Sequence, residues 1–94
     1  MTMIIANDIT TGSSDDFKYV YGTKPLNLFV EGDFGDASVF LEAKSPSGDY
    51  VPVSDGGIPS PGLYVIESFP ATYRVTITGT AVSLSAHVVG QSVV

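Results

Sequence analysis

The stretch TYRVTITGTAVSLSAHV, Thr72 to Val88, decides the fold class, because apolar and polar side chains alternate along it with the period of a β-strand. Its apolar positions are Tyr73, Val75, Ile77, Val82, Leu84, Ala86 and Val88. Between the two runs, Gly79-Thr80 predicts a two-residue hairpin loop, in which glycine supplies the positive φ that a type II′ turn needs first. The predicted register pairs Ile77 with Val82, Val75 with Leu84 and Tyr73 with Ala86, and a one-residue slip would turn this set outward.

Short alternating runs between Gly, Pro, Asn, Asp and Ser clusters continue along the rest of the chain. Two more runs predict inward faces, formed by Leu26, Leu28 and Val30 in the first and by Val39, Leu41 and Ala43 in the second. No segment has a sustained helical period. We therefore predict an all-β fold, an antiparallel β-sandwich that is Ig-like or jelly-roll-like, with about seven or eight short strands.

A second hairpin is predicted at Ser45 to Gly48, which has proline and glycine where a type I turn followed by a left-handed residue needs them. Its register pairs Ala43 with Val51 and Leu41 with Val53. The breaker cluster Asp55 to Gly62 predicts the most mobile loop. The strand at 63–67 follows it, and both of its faces are apolar, so its inward face stays open.

The 94 residues fit one domain, predicted at 1–94, with 1–16 and 89–94 as possible arms in contacts between subunits. There is no cysteine, which excludes a disulfide-reinforced core. The start of the chain lacks the basic region and long apolar run of a signal peptide. We therefore expect synthesis in a cytoplasm.

The net charge of −6 and the four scattered basic residues oppose binding to nucleic acid, which needs clustered Lys and Arg. They equally oppose attraction to an anionic membrane. His87, the one histidine, lies on the polar face beside Ser85 and lacks the third group that a nucleophilic site requires. The acidic clusters match no calcium-loop spacing. We expect no enzyme activity, no metal site and no cofactor.

Phe29 and Phe40 occupy outward positions of their strands, where a solitary domain would carry polar side chains. Three explanations remain open: the chain's own loops or second sheet cover them, they form a subunit interface, or they form a sugar-binding platform. The apolar termini also favour a subunit interface. The alternative is that both termini close the sandwich within one chain. The candidate interface residues are Phe29, Phe40, Met3, Ile4, Ile5, Val93 and Val94.

Several short motifs occur in a fixed order between residues 30 and 88. They are Gly32-Asp33-Phe34-Gly35-Asp36-Ala37, Val39 to Leu41, Ser45-Pro46-Ser47-Gly48, Val51-Pro52-Val53 and Tyr73 to Gly79. This order resembles small structural proteins of tailed-phage virions, which run GxFGxAxVxLxxxSPdGxxxVPV, a Gly/Pro loop and YRVxxTG. Tyr50 departs from the pattern, since such proteins often have tryptophan there.

The resemblance implies a non-enzymatic virion structural protein, first a capsid decoration or cement protein bound across coat subunits. The partner would be the major capsid protein or another virion protein, and the location the capsid surface. The resemblance further implies a homo-oligomer, with a trimer favoured. The alternative is a carbohydrate- or receptor-binding adhesin module of a phage tail or head fibre.

Overall fold

The computed structural model describes residues 2–19, 26–66 and 71–90, apart from the side chains of 54–56. These residues form nine β-strands and no helix. The strands are β1 (Thr2–Ile9), β2 (Gly12–Ser13), β3 (Phe17–Tyr19), β4 (Leu26–Asp33), β5 (Ser38–Lys44), β6 (Tyr50–Gly57), β7 (Gly62–Ile66), β8 (Ala71–Thr78) and β9 (Ser83–Val89). The prediction of an all-β fold is confirmed.

The strands form two antiparallel sheets. Sheet I has the order β1-β9-β4-β7, and sheet II has the order β2-β8-β5-β6, with β3 also paired to β8. The pairs nest from the ends of the chain inward: β1 with β9, β2 and β3 with β8, β4 with β7, and β5 with β6. A long antiparallel hairpin rolled onto itself gives this nesting. Of the two predicted sandwich types, the connectivity is the jelly roll.

The core lies between the sheets and is filled by alternate residues of the strands, as the period of two predicts. Leu26, Leu28 and Val30 of β4 are buried, and so are the three predicted inward residues of β5. The largest fully buried side chains belong to both sheets and are Tyr19, Tyr73, Phe17, Leu26, Leu28, Leu84, Val30, Val75 and Val88. In β7 the inward face, left open by the sequence, is that of Tyr64 and Ile66.

The predicted hairpin between Thr72 and Val88 is wrong. β8 pairs with β5, β2 and β3 in sheet II, whereas β9 pairs with β1 and β4 in sheet I. Val75 therefore pairs with Leu41, and Leu84 pairs with Gly32 and Ile9. The alternation itself is as predicted, because a strand facing a second sheet needs the same buried side as a strand in a hairpin.

The connection from β8 to β9 crosses from one sheet to the other instead of reversing within one. Gly79 has the predicted positive φ, 93°. The inward position after it is Ala81, which is 3% exposed, whereas Val82 is 64% exposed. The crossing is held by hydrogen bonds from the Ala81 N–H to the Thr10 carbonyl, at 2.8 Å, and from the Val82 N–H to the Asp33 carbonyl, at 3.0 Å.

The second predicted hairpin is confirmed near its turn. The Gly48 N–H donates to the Ser45 carbonyl at 2.9 Å, and Ala43 pairs with Val51. The predicted pairing of Leu41 with Val53 is wrong, because the register shifts between Glu42, which faces Pro52, and Phe40, which faces Gly57. β6 thus extends into the segment predicted as a mobile loop. Beyond it, Ile58 is buried and its N–H donates to the Val39 carbonyl at 2.8 Å.

The N-terminal segment forms a full edge strand. Met3 and Ile4 pair with Val88 and His87, so the start of the chain closes the sandwich within one chain, which was one of the two readings of the apolar termini. Ile5 is 2% exposed and belongs to the core. β9 continues to Val89. The predicted interface residues Val93 and Val94 lie outside the described residues.

A pair of valine variants distinguishes the crossing from a hairpin. Val88 is fully buried and Val82 largely exposed. Val88→Ala should lower the free energy of unfolding by about 2 kcal/mol, since it leaves a gap in the core. Val82→Ala should stay within about 0.5 kcal/mol of the wild type. Urea unfolding measures both, and a loss at Val82 as large as at Val88 would favour the hairpin.

A second pair isolates a close backbone contact between β4 and β9. Gly32 and Gly48 have φ of +116° and +96°, and a Cβ on Gly32 would lie 2.4 Å from the Ser83 carbonyl oxygen, whereas one on Gly48 meets nothing within 4 Å. Gly48→Ala should cost about 1 kcal/mol for the unfavourable φ alone. Gly32→Ala should cost about 3 kcal/mol or more, because the strands must separate. Equal losses would mean that the contact is relieved without effect on stability.

Candidate functional site

The outer face of sheet I carries a row of side chains that crosses all four strands. Ile4 on β1 pairs with His87 on β9, His87 pairs with Phe29 on β4, and Phe29 pairs with Leu63 on β7. Residues that pair directly lie on the same side of a sheet, so these four side chains form one line on the solvent side. A parallel row beside it consists of Thr2, Val89, Asn27 and Val65.

This outer face is apolar where a solvent-facing sheet is ordinarily polar. Ile4 is 66% exposed, Leu63 is 54% exposed and Val65 is 55% exposed. Phe29 and His87 between them are half-buried, and their rings stack with centroids 5.9 Å apart and planes at 29°. We name the two rows the docking face and treat them as the candidate functional site, since exposed apolar patches are typical of association sites.

One end of the docking face is acidic. Glu31 and Asp33 continue the outward side of β4 and pair with Ser85 and Ser83 of β9. Glu31 Oε1 lies 3.3 Å from His87 Nε2, a contact that becomes an ion pair when the imidazole is protonated. Asp8, at an irregular position of β1, reaches the same end, where its N–H donates to Ser85 Oγ at 3.0 Å.

The outer face of sheet II is polar and cross-linked. Arg74 Nε donates to Glu42 Oε1 at 2.8 Å, and Thr76 Oγ1 donates to the same oxygen at 2.5 Å. Ser13 Oγ lies 2.9 Å from Thr76 Oγ1, and the Arg74 guanidinium covers the Tyr50 ring at 3.7 Å from its centroid. The network joins β2, β8, β5 and β6. Its hydrogen-bond donors and acceptors are paired with one another within the protein.

The network changes the pKa of two of its members. Partial burial favours the neutral form of Glu42, but hydrogen bonds from Thr76 and Arg74, with the arginine charge, outweigh it and lower the pKa of the carboxyl. A hydrogen bond to Asp16, together with burial, raises the pKa of the Tyr50 phenol. Both directions fit a structural network, because each keeps its group in the charge state that the contacts require.

Phe40 lies on this second outer face, beside a shallow groove of about 560 Å³. The groove is lined by Phe40 and its neighbours in β5 and by Gly57, Ile58 and Pro59. Phe40 is half-buried, so other parts of the chain cover some of this residue, which was one of the three explanations for the outward phenylalanines. Around the groove the outward positions are Ser38 and Thr76, so no apolar surface extends from it.

The structure separates the predicted interface residues. It places Ile4 and Phe29 in one row, Phe40 on the opposite side of the sandwich, and Met3 on the inward side of β1. The sequence reading missed Leu63 and Val65, because β7 is apolar on both faces and only its pairing with β4 shows which side is outward.

The described residues contain no group of three or more His, Cys, Asp or Glu side chains placed to hold a metal ion. In the same part of the chain there is no helix of the length and apolarity that crossing a bilayer requires. Ser85, the candidate partner of His87, accepts a hydrogen bond from the Asp8 N–H on the neighbouring strand β1. The His87 imidazole instead stacks on Phe29 of the other neighbouring strand, β4.

No protein-family model, curated protein or solved structure matches this chain. The docking face is therefore characterised by its own residues.

Acid should weaken the sheet II network in a defined pH range. The folded-state pKa of Glu42 is below its ordinary value of 4.5, so the carboxylate stabilises the fold fully above that value, and this contribution is lost as the pH falls through the folded pKa. Thermal unfolding from pH 7 to 3 should show wild type more stable than Glu42→Gln, with the difference shrinking below about pH 4.5. Thr76→Val, which removes one donor, should move the decline to higher pH. A difference that grows in acid would contradict the assignment.

Proposed function

We propose that this protein is a non-enzymatic structural component of a tailed-phage virion, and that it decorates the capsid by binding across coat-protein subunits. The observation that carries the proposal is the docking face. There Ile4, Leu63 and Val65 are more than half exposed. They lie on the same side of sheet I as Phe29, in two neighbouring rows that cross the four strands. The motif order between residues 30 and 88 supplies the phage context, as a resemblance. The jelly roll is common to viral capsid proteins and lectins, so the fold supports the proposal only by analogy.

The mechanism is mechanical. A sheet packs against a second surface through a layer of side chains, and the four hydrogen-bonded strands under the docking face fix the positions of that layer. Docking would remove the exposed aliphatic side chains from water, which is favourable at about 25 cal/mol per Å² of apolar surface. A domain bound across a junction adds contacts to both coat subunits, so the subunits separate less easily under internal pressure.

The proposal includes a homo-oligomer, with a trimer favoured by the resemblance. Phe29 and Phe40 lie on opposite outer faces, so an isologous contact, which joins the same face of two copies, cannot bury both. The adhesin alternative differs in where the protein is found and what it binds. Phe40 beside its groove is the aromatic ring that such a site would use.

Position on the particle tests the proposal. Gold-labelled antibody against the purified protein, applied to virions from the phage that encodes it, should decorate the whole shell in many copies. Virions that lack the gene should release their DNA at a temperature several degrees lower, and added protein should restore the wild-type temperature. Light scattering should give the mass of an oligomer. Label at one vertex only would favour the tail adhesin, and absence of label from virions would contradict the proposal.

A further inference from the structure

The basic residues of the described strands are confined to sheet II, which also contains the acidic residues Glu42 and Asp55. The strands of sheet I contain three carboxylates, Asp8, Glu31 and Asp33, and no Lys or Arg. The basic residues within described strands are Lys18, Lys44 and Arg74, and all three belong to sheet II. Arg74 is engaged with Glu42. The docking face therefore combines exposed aliphatic side chains in both rows with carboxylates at one end, and His87 is the only side chain of its four strands that can carry a positive charge.

We propose that the docking face recognises a protein surface with an apolar centre flanked on one side by Lys or Arg. This inference rests on the proposed function and names the chemistry of the coat surface that the protein would contact. Charge complementarity carries it, since an acidic margin beside an apolar patch is matched by a basic margin and repelled by an acidic one. The side chain of Glu31 is 64% exposed, so its carboxylate is available to such a partner.

A second copy of the same face is a poor occupant. If two docking faces met with their acidic ends together, three carboxylates would lie against three. If they met with the ends opposed, the carboxylates of each copy would lie against the exposed aliphatic side chains of the other. Like-charge contact and unpaired burial of a charge are both unfavourable. Contacts between copies of this chain therefore do not join two docking faces.

Two substitutions test the two halves of the proposal. Leu63→Ser removes an exposed aliphatic side chain from the docking face, and Val51→Ser is its control, because Val51 is similarly exposed at 47% but lies on β6 of sheet II. Glu31→Lys reverses a charge at the acidic end. Asp49→Lys is its control, since this exposed residue lies in the turn of the other sheet's hairpin. All four positions are partly or largely solvent-exposed, so the variants should fold, which thermal unfolding verifies.

The measurement is co-sedimentation of purified protein with virions from the strain lacking the gene, at about 50 mM and about 500 mM NaCl. Leu63→Ser should weaken binding about tenfold at both salt concentrations. Glu31→Lys should weaken it about tenfold at low salt and by much less at high salt, because salt screens the exposed charge. Val51→Ser and Asp49→Lys should bind as wild type does.

Each other outcome has a definite meaning. Wild-type binding that survives both sheet I substitutions would overturn this inference and leave the decoration role standing. Tighter binding by Glu31→Lys would overturn the basic margin of the partner. A smaller mass in light scattering for Leu63→Ser than for wild type would show that a second copy occupies the face, which contradicts the proposal. Failure of wild type to bind virions would overturn the proposed function together with the inference.

Discussion

The central strands of both sheets, β4, β5, β8 and β9, each have one side buried between the sheets, and the rest of the structure follows from that constraint. Core residues of sheet I, such as Leu28 and Leu84, are matched by Tyr73 and Val75 of sheet II, all of them at most 1% exposed. A chain of 94 residues has room for one such layer. Because side chains alternate along a strand, filling this layer also decides which residues remain outside. The docking face is the outer side of the same strands that form half of the core.

The outer faces of the two sheets differ in their side chains. On sheet II, threonine, serine, glutamate and arginine form a network that satisfies itself, with Glu42 accepting from both Arg74 and Thr76. On sheet I, the corresponding central positions hold a stacked Phe29 and His87 flanked by aliphatic side chains. Exposed aliphatic side chains add nothing to the core, and their concentration on one face is the reason for the proposal that a partner covers it.

The inward faces of β4, β5, β8 and β9 could be predicted from the sequence, but the pairing of the strands could not. The pattern around Gly79 is the same for a hairpin and for two strands that face each other across a sandwich, since both demand alternate buried residues and a positive φ at the turn. Local turn chemistry sufficed at Ser45 to Gly48, where the partners are a few residues apart. The register shift in β6 and the partner of β1 depend on contacts distant in sequence, and no local pattern encodes them.

The candidate site could be predicted only where an apolar residue interrupts the polar side of a strand with alternating side chains. Phe29 could be identified because it breaks the polar side of an otherwise regular strand. Leu63 and Val65 could not, because their strand is apolar on both sides and only the pairing with β4 selects one. The absence of Lys and Arg from the strands of sheet I likewise becomes visible only when β1, β4, β7 and β9 are known to be neighbours.

The orientation of the bound protein tests the central claim most directly. A cryo-electron microscopy map of decorated virions, at a resolution that separates the two sheets, would show which side of the sandwich meets the shell. The account predicts that sheet I faces the coat protein, with Phe29 and Leu63 at the contact and coat Lys or Arg side chains near Glu31. A map in which sheet II and its Arg74–Glu42 network face the shell, with Leu63 in solvent, would contradict it.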